Sequence, residues 1–111
     1  MQVSDSARAV YNDPALTQRV AAALRRTLGD ANVVEELPAM AADDFAEYGH
    51  AGVPAIEFGI GAVNPEKFAT AQKSGEALPG PHSPFFAPDR EPSIRTGIEA
   101  EMTAVLEVLG K

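Results

Sequence analysis

The chain predicts an α/β fold, a small sheet with covering helices, and three observations carry that expectation. Amphipathic runs with apolar residues at three-to-four spacing lie toward each end, and two short β-prone runs lie between them. The resulting order of helix, strand, helix, strand, loop, helix is that of layered α/β domains. Two strands alone leave open edges and little buried face. Further strands are therefore expected from polypeptide outside this chain, and the sequence reads as the tail of a longer one.

The first helix is expected at about 14–28. Asp13 can cap free N–H groups, and Pro14 at the first helical position loses no hydrogen bond. Leu16, Val20, Ala23, Leu24 and Leu28 form its stripe, Arg19, Arg25 and Arg26 fall mostly off it, and Gly29 is the stop signal. Asn32 to Glu36, closed by Leu37-Pro38, is the first β-prone segment, and Val53 to Ile60 is the second. A short helix is expected between them, opening at Ala42-Asp43-Asp44, where carboxylates suit the free N–H groups of a first turn. From Gly59 to Pro92 glycine and proline are frequent and no periodicity is sustained, so a long loop is expected there, broken by a turn of helix at 65–72. The last helix places Ile94, Ile98, Met102, Val105 and Leu109 on one face, with Glu99, Glu101 and Glu107 outside it.

Length and charge narrow the function. A chain of 111 residues builds one domain with a modest core. Its 9 Lys+Arg against 16 Asp+Glu give a net charge of −7 with no basic cluster, which argues against nucleic acid as a partner. There is no cysteine, so neither disulfides nor thiolate metal sites are available. No apolar run is long enough to cross a membrane, and a soluble, cytoplasmic protein is expected.

The most informative segment is Gly80-Pro81-His82-Ser83-Pro84. Pro81 and Pro84 restrict the backbone on both sides of His82 while Gly80 allows an unusual approach, which suits a rigidly held imidazole ligand. A catalytic zinc takes about three protein ligands, whereas this chain has two histidines, His50 and His82, and scattered carboxylates. The plainer alternative for His82 is a loop histidine bonded to backbone. Asp43 and Asp44, adjacent on a helix and so about 100° apart, read better as caps than as a carboxylate pair. His50, in the glycine-flanked Tyr48-Gly49-His50-Ala51-Gly52, reads as a solvated turn histidine. Ser83 reads as a loop-capping hydroxyl, since no Gly-x-Ser-x-Gly elbow is present. Gly59-Ile60-Gly61 lacks the third glycine of a dinucleotide site. Glu35, Glu36, Glu99 and Glu101 read as solvated faces.

Four motifs in order, Tyr11-Asn12-Asp13-Pro14, Met40-Ala41-Ala42-Asp43-Asp44-Phe45, Val53-Pro54 with Phe58-Gly59, and His82-Ser83-Pro84-Phe85-Phe86, resemble the C-terminal part of the metal-dependent amidohydrolases. That family includes hippurate hydrolase and the N-acyl-amino-acid amidohydrolases, and it is related to zinc aminoacylases and carboxypeptidases. The likeness runs from about residue 10 onward. It implies that residues 1–111 are the C-terminal part of a phosphorylase/hydrolase-like catalytic domain, with 1–10 leading in from an inserted dimerisation domain. It implies a two-metal centre of zinc, or manganese or cobalt, to which His82 contributes as the histidine of a His-Ser-Pro motif. The remaining ligands and the general-base glutamate belong to upstream motifs without counterpart here, so no catalytic residue falls in this chain. The implied reaction is hydrolysis of the amide bond of N-acyl amino acids or related small amides.

The chain departs from the family's Met-Gly-Ala/Ser-Glu-Asp-Phe at Ala41 and Asp43, and Phe85 stands where a polar residue is common. The segment alone is expected to be inactive. Its apolar faces are expected to meet the missing N-terminal part of the parent or another copy of itself. Two other readings stay open: a standalone acidic protein-interaction module, and a complete small hydrolase using His50 and His82.

Overall fold

The structure, a computed structural model, describes residues 8–37 and 43–110. Most of the expected lead-in, the Pro38 close and the Met40-Ala41-Ala42 part of the acidic motif lie outside the described residues. The chain divides into two units, Met1–Phe58 with Ala100–Lys111, and Gly59–Glu99.

The first unit is built on α1, Pro14–Leu28, which opens as its sequence dictates. Asp13 Oδ1 accepts from the Leu16 N–H at 2.7 Å, and the Asp13 carbonyl accepts from the Thr17 hydroxyl at 2.7 Å. Gly29, at φ 89°, ends the helix in a conformation that favours glycine, its N–H donating to the Arg25 carbonyl. Val20, Ala23 and Leu24 are the buried part of the stripe. A 3-10 turn follows at Asp30–Asn32. Next comes α2, Ala46–His50, a single short turn whose entry is held by Asp43 Oδ1 accepting from the Phe45 N–H at 2.9 Å.

The second unit contains α3, Pro65–Ser74, capped by Asn64 and ended by Gly75 in the left-handed region at φ 73°. This is a full helix where the sequence promised one turn within a loop. Asn64-Pro65 repeats the start signal of Asp13-Pro14, and the helix has room to propagate to the next glycine. The last helix, α4, Arg90–Val108, runs from the second unit into the first. It accepts Pro92 because a first-turn proline forfeits no intrahelical bond.

The expected small sheet with covering helices is absent: no strand occurs among the described residues. A ladder needs two backbones side by side, and neither β-prone run has one. Asn32 is drawn into the 3-10 turn, and Val34 and Leu37 stand exposed. The 53–60 segment keeps a period-two alternation, with Ile56, Phe58 and Ile60 half-buried and Glu57 and Gly59 exposed. Among the described residues its long-range backbone bonds go to Asn12-Asp13. The Asp13 N–H donates to the Ala55 carbonyl at 2.9 Å, and the Asn12 carboxamide bonds both backbone groups of Glu57, at 2.7 and 2.8 Å. That side chain imitates a single residue of neighbouring strand, too little to make a sheet.

Helix α4 has two stripes. Ser93, Thr96, Gly97, Ala100, Thr103 and Glu107 are covered at three-to-four spacing, with Ala100 only 1% exposed. Its large apolar residues face the other way, and Met102 is 59% exposed. The covered side is tied to α1: Arg19 Nε and Arg26 Nη2 each reach a Glu107 carboxylate oxygen at 3.1 Å, Arg19 also donates to the Glu107 carbonyl, and the Thr103 hydroxyl meets that of Thr27 at 3.4 Å. No helix among the described residues is long and apolar enough to cross a membrane.

These placements separate two substitutions on one helix. Ala100→Leu is expected to lower the unfolding free energy by about 1–3 kcal/mol through overpacking. Met102→Ala should change it by no more than about 0.5 kcal/mol, as exposed sites do. Urea denaturation beside the parent chain measures both, and the reverse ranking would put the apolar stripe inside.

Candidate functional site

His82 stands at the third position of a tight turn closed by the Ser83 N–H donating to the Gly80 carbonyl at 2.9 Å. Pro81 occupies the second position, where its fixed φ is already that of the turn. A second turn follows at once, the Phe86 N–H donating to the Ser83 carbonyl at 3.1 Å, and the Ser83 hydroxyl accepts from the Phe85 N–H at 3.2 Å. Ser83 is thus the loop-capping hydroxyl its sequence suggested, with no histidine as its base. Gly80 has no positive φ and open space around its Cα, so the unusual approach expected of it is not used. Among the described residues, ordinary turn geometry is what holds the His82 backbone.

The ring itself is exposed and takes no hydrogen bond from any described residue. Both nitrogens are therefore open to a ligand or a metal. Phe85, three positions along the chain, is 79% exposed. No complete site forms around His82: among the described residues there is no group of three His, Asp or Glu that could hold a metal ion. The donor chemistry fits one coordination position and stops there, because a catalytic site takes about three protein ligands.

The other candidates are occupied otherwise. His50 ends α2, and the guanidinium of Arg8 lies against its ring, while Arg8 also pairs with Glu47 at 3.6 Å. A permanent cation at that distance opposes binding of a dication. Asp43 caps the entry to α2, and Asp44 supplies a backbone carbonyl to the Glu47 N–H. Neither carboxylate belongs to a metal-holding group.

Asn64 and Asp89, in the same unit as His82, carry more than the sequence suggested. Asn64 accepts from the Glu66 and Lys67 N–H groups at 3.0 and 3.2 Å and donates its Nδ2 to Asp89 Oδ2 at 3.0 Å. The Asx-Pro signal at Asn64-Pro65 points to the first role. No local signal announces the second, because the partner lies 25 positions away.

Compared with known proteins, residues 1–106 match the family model described as Peptidase family M20/M25/M40. No solved structure matches the chain.

The two histidines should answer a metal differently. When zinc is titrated into the chain and the imidazole resonances are followed, His82 is expected to shift progressively without saturating where a three-ligand site would fill, and His50 to stay in place. A tight, saturable response, or equal movement of both rings, would contradict the arrangement.

Proposed function

The chain belongs to peptidase family M20/M25/M40, and from that premise we propose that it forms the C-terminal portion of the catalytic domain of a metal-dependent hydrolase, to which it lends His82 as one metal ligand. Peptidases of this family are generally metal-dependent. The single observation that carries the assignment is the state of His82, exposed, bonded through its ring to no described residue and braced between prolines in a doubly turned loop. A neutral imidazole held in this way presents a lone pair with little reorganisation.

The finer reading follows the resemblance: hydrolysis of the amide bond of N-acyl amino acids or related small amides, at a centre of zinc, manganese or cobalt. Such an ion, when bound, polarises a scissile carbonyl and acidifies a water. This chain's own share is narrower. It holds one donor in place, and Phe85 offers an apolar surface suited to an acyl or aryl group. The remaining donors are assigned to polypeptide outside this chain, because it has two histidines and no cysteine, and no described cluster reaches three ligands. The outward stripe of α4, with Ile94, Ile98, Met102 and Leu109 each more than half exposed, supports packing against further polypeptide.

An assay on N-acyl amino acids with added zinc or manganese is expected to show no turnover by the chain alone. Turnover should appear when the chain is joined to the sequence encoded upstream of it, and His82→Ala in that longer protein should reduce kcat/KM by at least about a hundredfold, the scale on which losing a metal-site contact acts. Turnover by the chain alone, or an unaffected His82→Ala protein, would refute the assignment. A chain that forms stable complexes with other proteins but gains no activity when extended would favour an interaction module.

A further inference from the structure

His82 sits in a long excursion of chain, and the hydrogen bonds of that excursion are almost entirely local. Every hydrogen bond made by residues 76–88 to a described residue stays within 74–86. The mouth of the excursion is closed by a different pair. The Asp89 N–H donates to the Ala62 carbonyl at 2.7 Å, and beside it Asn64 Nδ2 donates to Asp89 Oδ2 at 3.0 Å, in a part-buried contact.

The use of Asp89 is informative. It immediately precedes α4, where a carboxylate ordinarily accepts from the first N–H groups of its own helix, an interaction of about 1 kcal/mol. Asp89 does not do this. Its side chain accepts from Asn64, and only its carbonyl serves α4, taking the Ser93 N–H at 3.1 Å and hydroxyl at 2.6 Å. Asn64 divides its own carboxamide, the oxygen capping α3 and the nitrogen crossing to Asp89. The starts of two helices are thereby stapled together, and the residues from 65 to 88 leave and return through one point.

We infer that the Asn64–Asp89 hydrogen bond is a latch that positions His82: it fixes both ends of the excursion and so restricts where the imidazole can stand. Closing a loop of this length removes conformational freedom that would otherwise be lost only on binding. Asn64 and Asp89 touch no metal in this role; they are positioning residues. The significance of the latch for catalysis rests on the reading of His82 as a metal ligand, but its existence does not.

Hydrogen exchange on the full chain tests it, because the two functions of Asn64 can be separated. Asn64→Asp keeps an oxygen to cap α3 while replacing the donor to Asp89 with a second carboxylate. Adding Asp89→Asn restores a hydrogen bond with donor and acceptor exchanged. In the single variant the protection of the Ser83 and Phe86 amides is expected to fall about tenfold, the equivalent of one charge-assisted hydrogen bond. In the double variant it should return to within about twofold of the parent. The amides of α1 should be unaffected in both. Unchanged protection in Asn64→Asp, no recovery in the double variant, or loss of protection that extends to α1 would each overturn the latch. Metal content of the longer enzyme separates this from the functional reading: if His82→Ala retains all its metal, the assignment of His82 fails while the exchange result stands.

Discussion

The carboxylate of Glu107, gripped by two arginines of α1, is the interaction on which the first unit turns. Exposed ion pairs contribute little, about 0.5–1 kcal/mol each. Here one acceptor is shared between Arg19 and Arg26, and the Glu107 side chain is only 26% exposed. Its larger effect is orientation. With Glu107 facing α1, Ala100 and Thr103 must face it too, since they lie on the same stripe, and the large apolar residues are carried to the opposite side. Small side chains such as Ala100, only 1% exposed, occupy the covered positions. The result is a helix whose bulky face remains free for other polypeptide.

Backbone pairing in the 53–60 segment is similarly half complete. Asn12 and Asp13 occupy the edge that carries the backbone groups of Ala55 and Glu57, while those of Ile56 and Phe58 bond no described residue. An open edge, an open helix face and a single open imidazole are the same kind of feature. Each has chemistry suited to a neighbour that the described residues do not supply.

Much of this was legible in the sequence where the determinants are local. Asp13-Pro14 and Gly29 bracket α1 because a cap, a proline and a glycine act on their own neighbours. The same chemistry acts at Asn64-Pro65, where glycine-rich surroundings suggest a loop although Gly75 is the natural stop for a helix begun there. The strands failed for a non-local reason. Val53 to Ile60 has the alternation of a strand, but a strand exists only beside another, and residue types cannot reveal that a carboxamide stands where a backbone was expected. Periodicity on α4 identified an apolar stripe correctly and could not say which stripe would be covered. The His-Ser-Pro motif singles out His82 as a candidate, whereas Asn64 and Asp89 form a pair across a long loop and are visible only in three dimensions.

The proposed role of the chain comes down to whether the His82 ring binds a metal. Anomalous scattering at the zinc edge, from crystals of the chain extended by whatever sequence is encoded ahead of it, decides it most directly. The account predicts a metal peak about 2.0–2.1 Å from one ring nitrogen of His82, with its other ligands drawn from upstream sequence. A fully occupied metal centre whose ligands exclude His82, with that ring in bulk solvent, would contradict it.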